Sequence, residues 1–187
     1  MITDCRNQWE SNFLFYFVQV APFSYGGNEQ KKLQKLRNAQ GMALETKKTG
    51  MVVTLDIGNE FNINPSEKQT VGNRLAGLSL VNDYGKNLVA SGSLFKKAKT
   101  EGNKLTVQFE NVDSGLMAHK ERLTNFEIAE ADKNYNPANV KIVERTVVAT
   151  NPIIKNPVYV RYAWSDIRNV TFFNKEGFPA STFISEE

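Results

Sequence analysis

The hydrophobic pattern divides the chain into two parts of different character. In the first part, continuous apolar runs at 13–20 and 51–55 are rich in β-branched and aromatic residues, which is typical of strands covered on both faces in a parallel sheet. Apolar residues at helical spacing predict helices over 28–45 and 64–84, the second with Asn64 as its N-cap. This alternation of strand and helix predicts a right-handed parallel crossover.

From residue 92 onward the pattern changes to short alternating runs separated by turn residues. Alternation of apolar and polar positions is typical of antiparallel strands with one buried face. Several such runs together predict an antiparallel β-sandwich. We therefore expect two domains, an α/β part at 1–91 and a β-sandwich at 92–187. The predicted strands of the second domain lie at 104–109, 125–128, 140–143, 146–149 and 158–164.

The predicted parallel sheet has too few strands to be complete. Open α/β sheets usually contain about five strands, and two strands cannot cover the faces of the helices around them. The first ten residues, with Ile2, Cys5 and Trp9 on one side, resemble the end of a helix that began earlier. We therefore expect further strands to come from upstream sequence or from another chain.

Composition restricts the classes of function. The 187 residues are 41% hydrophobic and 23% charged, with a formal net charge of +3, and the basic residues form no long block. These values are ordinary for a globular protein and give no reason to expect a nucleic-acid partner. The longest apolar run is too short to span a bilayer, so no membrane partner is expected. A single cysteine, Cys5, and a single histidine, His119, exclude an internal disulfide and a Cys/His metal site, and no cofactor is expected.

An ordered set of segments carries a family resemblance over nearly the whole chain. The segments are 2–9 (ITDCRNQW), 15–23 (FYFVQVAPF), 50–58 (GMVVTLDIG), 63–65 (INP), 68–69 (KQ), 71–75 (VGNRL), 107–112 (VQFENV), 114–116 (SGL), 126–129 (FEIA), 156–158 (NPV), 160–164 (VRYAW), 174–177 (NKEG) and 179–181 (PAS). No single segment is specific. Taken together and in order, they resemble the sialate O-acetylesterase family, which consists of carbohydrate esterases of the SGNH-hydrolase type.

The resemblance implies a serine esterase that removes O-acetyl groups from sialic acid or related sugars. It covers only the C-terminal part of the family, because the family's serine and oxyanion-hole donors lie upstream of the matched segments. The implied fold is an incomplete parallel-sheet, SGNH-hydrolase-like half followed by an antiparallel β-sandwich. Full-length members are commonly exported to the periplasm or the extracellular space, but the compartment of this chain is left open.

The family's catalytic histidine maps onto Asn64, and Asn59 and Asn62 stand where many members carry aspartate. A serine nucleophile needs a base that accepts its proton, and an amide has no proton equilibrium near neutral pH. We therefore assign no catalytic residue. The resemblance makes Tyr25, Glu60 and Asn64 the candidate ligand-binding residues, although Asn64 is also interpreted as a simple helix cap.

Three functions stay open. The chain is either the C-terminal portion of an esterase that is inactive alone, one half of a split esterase whose N-terminal half is another chain, or a non-catalytic carbohydrate-binding or scaffold module. An acetylated carbohydrate is the expected ligand. Outside the predicted site, His119 is interpreted as an exposed turn residue. Tyr162 and Trp164 are predicted to share one side of a strand, where core packing is favoured over sugar stacking.

Overall fold

The computed structural model describes residues 1–24, 33–119, 122–167 and 169–186. Its first part contains α1 (Ile2–Gln8), β1 (Phe15–Val18), α2 (Leu33–Met42), β2 (Thr49–Val52) and α3 (Lys68–Asn82). Its second part contains β3 (Leu94–Glu101), β4 (Lys104–Glu110), β5 (Leu116–Ala118), β6 (Phe126–Ala129), β7 (Asn136–Pro137), β8 (Asn139–Val143), β9 (Thr146–Thr150), β10 (Tyr159–Tyr162), β11 (Phe172–Asn174) and β12 (Phe183–Ile184). The fold is therefore mixed α/β, and no helix in these ranges is long and apolar enough to cross a membrane.

The first part contains the parallel strand pair that the hydrophobic pattern predicts. β1 pairs with β2 in parallel, from Phe15 beside Thr49 to Val18 beside Val52. The three residues that follow Val52 are buried although they lie beyond the strand, which explains why the sequence predicts a longer strand there. The helix predicted from Asn28 begins in a segment outside the described residues, and its described part is α2.

The start of α3 differs from the prediction. The helix begins at Lys68, with Glu67 rather than Asn64 in the N-cap position. The side-chain oxygen of Asn62 accepts the backbone N–H of Asn64 at 2.9 Å. This local turn competes with helix formation, as Asn side chains commonly do. Asn64 is therefore a residue of the loop before α3, and the predicted helix cap is wrong.

The second part is built from antiparallel sheets. Two four-stranded sheets have the orders β3-β4-β9-β8 and β12-β10-β6-β7, and β5 pairs with β11 in a smaller sheet. Four of the five predicted strands agree closely with β4, β6, β8 and β9, while the predicted strand over 158–164 is shortened to β10. The sequence pattern misses β3 because it is an edge strand with largely exposed side chains and a register shift between Phe95 and Lys97.

One hydrophobic core joins the buried faces of these sheets. Phe183 of β12 stacks on Phe95 of β3 with ring centroids 4.5 Å apart and meets Phe109 of β4 edge-on at 5.7 Å. Fully buried Tyr162 and Phe172 extend the same aromatic cluster, with centroids 5.7 Å apart. Such edge-to-face contacts add specificity to the burial of apolar area.

A buried polar cluster connects the two parts, and we call it the Arg37 junction. The guanidinium of Arg37, on α2, donates to the carbonyl oxygens of Val20 (3.0 Å), Ser165 (2.8 Å) and Asp166 (2.8 Å). The carboxylate of Asp166 accepts the backbone N–H of Leu33 at 3.0 Å. Only 1% of Arg37 is exposed, and this burial lowers its pKa to about 10, against the opposing charge of Asp166. The side chain therefore remains a cation at neutral pH.

Candidate functional site

Two loops lie side by side at the carboxyl ends of the parallel strands. We call them the first loop (19–24), which follows β1, and the second loop (53–67), which follows β2. The hydroxyl of Thr54 donates to the carbonyl of Gln19 at 2.6 Å, and the backbone N–H of Ser24 donates to the carbonyl of Glu60 at 3.0 Å. The carboxyl ends of parallel strands are where α/β proteins bind ligands. The paired loops are therefore the candidate site.

A glycine allows this close approach. A Cβ atom added at Gly58 would lie 2.3 Å from Cδ of Pro22 and 2.7 Å from its backbone nitrogen. Both distances are far shorter than a van der Waals contact. The second loop therefore packs against the first only because residue 58 lacks a side chain.

An arginine of α3 fixes the beginning of the second loop. The guanidinium of Arg74 donates to both carboxylate oxygens of Asp56, at 2.8 and 2.6 Å, and to the carbonyl oxygen of Val53 at 2.8 Å. Bidentate arginine–carboxylate pairs are strong and geometrically specific. The side chains of Arg74 and Asp56 are 10% and 17% exposed, so solvent screens this pair less than a surface pair. Sequence reasoning missed the pair, and its only local signal is a charged residue in the middle of a largely uncharged helix.

The tip of the second loop is shaped by asparagine side chains. The side-chain oxygen of Asn59 accepts the backbone N–H of Phe61 at 2.8 Å, and Asn62 binds the N–H of Asn64 in the same way. A bridge between Asn59 and Asn62 closes the turn. The side-chain oxygens of both asparagines therefore bind backbone N–H groups within the loop. Such Asx turns fix the course of the chain locally.

The candidate ligand residues lie partly on this tip. Glu60 and Asn64 are both exposed on the second loop, together with the ring of Phe61. Tyr25 lies outside the described residues. The tip of the loop (59–64) therefore presents one carboxylate, amide groups and an aromatic ring.

Among these groups, the amide of Asn64 can bind a ligand but cannot accept the proton of a serine hydroxyl. An amide donates and accepts hydrogen bonds without taking up a proton near neutral pH. The single histidine, His119, is exposed at the end of β5, where its backbone N–H bonds Thr171 and its ring lies 5.9 Å from that of Phe173. Within the described ranges, no group of three or more His, Cys, Asp or Glu side chains could hold a metal ion.

Residues singled out elsewhere have mainly packing roles. Tyr162 is fully buried, which confirms the prediction of core packing. Trp164 does not continue the same strand face, because β10 ends at Tyr162 and Ala163 has a positive φ of 48° that turns the chain. Trp164 is half-buried as a result. Cys5 is a half-buried free thiol on α1.

The whole described structure can be set beside proteins of known structure. A search of solved structures finds a carbohydrate acetylesterase from Xanthomonas citri with a TM-score of 0.93 and 32% sequence identity. The match covers 100% of this chain and 44% of that protein, so the chain spans less than half the length of the structure it matches. The chain is carbohydrate-esterase-like in fold and sequence. No protein-family model and no curated protein matches it.

Proposed function

We propose that this chain is the C-terminal portion of a sialate O-acetylesterase-like carbohydrate esterase and that it does not hydrolyse esters alone. The feature that supports the proposal is the second loop, where the resemblance puts Asn64 at the position of the family's histidine. Without a base, a serine hydroxyl is a poor nucleophile. Removal of one member of such a catalytic set typically slows the reaction by several orders of magnitude.

We also propose that the α/β part at 1–91 is an incomplete SGNH-like domain and that 92–187 forms a β-sandwich. The parallel pairing of β1 with β2 and the shared core of the antiparallel sheets support this division. The matched enzyme is more than twice as long as the match, which leaves room for a serine-bearing segment in the whole protein.

The outer edge of β1 is the proposed contact for that segment. The N–H of Phe15 donates to the carbonyl of Lys48, just before β2, at 2.9 Å, and the N–H of Gln19 donates to the carbonyl of Val52 at 2.8 Å. The backbone groups of Tyr16 therefore point away from β2. No strand of the described chain lies beside that edge. Near its end, the side chain of Gln40 binds the carbonyl of Val18 and the N–H of Val20, which closes the edge beyond Val18. We propose that a parallel strand of the serine-bearing segment pairs with the open stretch.

Hydrolysis by the purified chain is the direct test. We expect no release of acetate from an O-acetylated sialic acid, and no cleavage of p-nitrophenyl acetate, above the rate of a heat-denatured sample. Clear turnover by the chain alone would refute the proposal.

Reconstitution tests the role assigned to Asn64. The chain is mixed with a separately produced serine-bearing segment of a related esterase, and complex formation is followed by size-exclusion chromatography. In the complex, Asn64→His is expected to raise the rate at least tenfold, because it restores a proton acceptor. Asn64→Gln is the matched control, since it changes the side chain without adding a base. Equal rates for the two variants would mean that Asn64 does not stand at the position of the family's histidine.

A non-catalytic carbohydrate-binding function is the second candidate. The exposed amides and carboxylate of the second loop favour it, because they can bind a sugar without cleaving an ester. Saturable binding of an acetylated sugar in a calorimetric titration, without hydrolysis in the chain or in its complexes, would support this candidate over the first.

A further inference from the structure

Phe61 is the most exposed large hydrophobic residue in the described part of the chain, with 88% of its surface accessible. Burial of an aromatic side chain is strongly favourable, so a fold gains nothing from leaving one in water. The ring makes no aromatic contact with another described residue. Packing within the described chain therefore does not explain its position.

The backbone beneath this ring is held in place. The N–H of Phe61 is bound by the side chain of Asn59, and the carbonyl of the preceding residue, Glu60, is bound by Ser24. At the base of the loop, Gly58 lies against Pro22. An exposed ring on a fixed backbone can bind a ligand without the entropic cost of ordering a loop.

The residues next to Phe61 in the second loop are suited to a sugar. Glu60 and Asn64 are exposed within three residues of Phe61, and Ile63 is 41% exposed. Ligand sites combine apolar contact area with a few polar groups that fix orientation. A pyranose has a face of C–H groups that can pack on an aromatic ring, and its hydroxyl groups can bond to a carboxylate and an amide at the rim.

We propose that Phe61 is the platform for the sugar ring of an O-acetylated ligand, and that this ligand is a neutral pyranose. The exposed carboxylate of Glu60, the residue before Phe61, sets the charge preference, because it accepts hydrogen bonds from hydroxyl groups and repels the carboxylate of an acidic sugar. Phe61 and Glu60 are specificity-determining residues in this view. The inference rests on the proposed function for an O-acetylated sugar as ligand and narrows that class to neutral sugars instead of sialic acid, and it concerns binding and not hydrolysis.

Binding to the isolated chain provides the test. The chain is titrated with an O-acetylated methyl hexopyranoside and, separately, with an O-acetylated sialic acid, and ligand binding is followed by saturation-transfer NMR. We expect the neutral sugar to bind several-fold more tightly. Phe61→Ala should weaken that binding by about fivefold or more, whereas Phe61→Trp should preserve it. Glu60→Gln should reduce the preference for the neutral sugar.

Tyr84→Ala is the matched control, because Tyr84 is also an exposed aromatic, at 71%, and lies after the end of α3. It should leave binding unchanged. Circular dichroism checks that the variants keep their fold. Wild-type affinity in Phe61→Ala, or a lack of binding to the neutral sugar by the wild-type chain, would overturn the inference. Neither result decides the proposed esterase function, which is tested by hydrolysis with the purified chain and with the reconstituted complex.

Discussion

The two parts of the molecule differ in how they bury their residues. The main hydrophobic cluster of the described chain has twenty buried members, and among these only Met51, Val53 and Leu55 come from the first part. α1 buries no residue, and α3 fully buries only Leu78. The antiparallel sheets, by contrast, carry a continuous core of aromatic and β-branched side chains.

This difference indicates that the first part is held by the second and does not have a sufficient core of its own. The buried residues of α2 include Gln34 and Arg37, and Arg37 binds carbonyls of the antiparallel part. Gln19, at the end of β1, similarly binds the hydroxyl of Ser181 at 2.8 Å. The candidate site therefore lies in the part with the smaller hydrophobic core. Its geometry depends on the contact between the first part and the antiparallel part.

Removal of the Arg37 guanidinium should have the largest effect. Arg37→Met leaves three carbonyl oxygens without their donor and Asp166 without its neighbouring cation, which should lower the free energy of unfolding by about 3–5 kcal/mol. Urea denaturation measures the change. Because every described helix lies in the first part, the helical circular dichroism signal should be lost before the fluorescence of Trp164 changes. The fluorescence is recorded in a Trp9→Phe background, since Trp9 lies in the first part.

Arg145→Met is the matched control for this prediction. Arg145 pairs with Asp113 at 3.2 Å, but both side chains are mostly exposed, so the substitution should cost less than about 1 kcal/mol. Similar losses for the two variants would mean that the Arg37 junction does not hold the two parts together.

The next largest effect is the difference in stability loss between a side-chain truncation in the antiparallel part and one in the first part. Phe172→Ala removes a fully buried ring that touches Phe109, Phe126 and Tyr162, and we expect a loss of about 3–5 kcal/mol. Leu78→Ala should cost about 2 kcal/mol, at the low end for a buried leucine. Leu78 is the one buried residue of α3, so the helix can relax into the space that the substitution leaves. Chemical denaturation of both variants gives the comparison. A greater loss for Leu78→Ala would contradict the uneven distribution of the core.

Alanine substitutions at two glycines of the first part should change the stability of the protein in opposite directions. Gly58→Ala forces a methyl group into Pro22 and should destabilise the protein by about 1–3 kcal/mol, with a displacement of the second loop from the first. Gly72→Ala, within α3, meets no atom within 4 Å and should stabilise by about 0.5–1 kcal/mol. Thermal unfolding measures both changes. Equal effects would show that the two loops are not in close contact in solution.

Sequence reasoning succeeded where the structure is periodic. β4 and β9 alternate fully buried residues with half-buried or exposed ones, and the pattern predicts both strands nearly to their ends. The apolar runs at 13–20 and 51–55 contain β1 and overlap the end of β2, and these two strands pair in parallel as predicted. Local periodicity is enough in these cases because burial of one or both faces determines the residue types.

The remaining features depend on contacts that no local pattern contains. The start of α3 is displaced by the side chain of Asn62, and the strand at β10 is ended by the positive φ of Ala163. Arg74 reaches Asp56 across 18 positions, and Arg37 reaches Asp166 across 129. Polar residues of this kind look like solvent-exposed charges in the sequence, because their partners are selected by the fold.

The smallest predicted effect concerns the outer surface of the antiparallel part. Glu186 accepts hydrogen bonds from Lys133 at 2.6 Å and from Tyr135 at 2.7 Å, which lower its pKa, the former contributing more. The folded pKa thus lies below the unfolded value of about 4.3. The resulting stability is present above that value and is lost as the pH falls through the folded pKa. Glu186→Gln should therefore lower the free energy of unfolding by less than about 1 kcal/mol at neutral pH, and this loss should shrink on acidification.

Glu101→Gln, which removes the exposed pair with Lys99, is the control and should show a smaller pH dependence. A Glu186→Gln effect that stays constant from neutral to acidic pH would mean that this network does not attach the C-terminal residues to the sheet through charge.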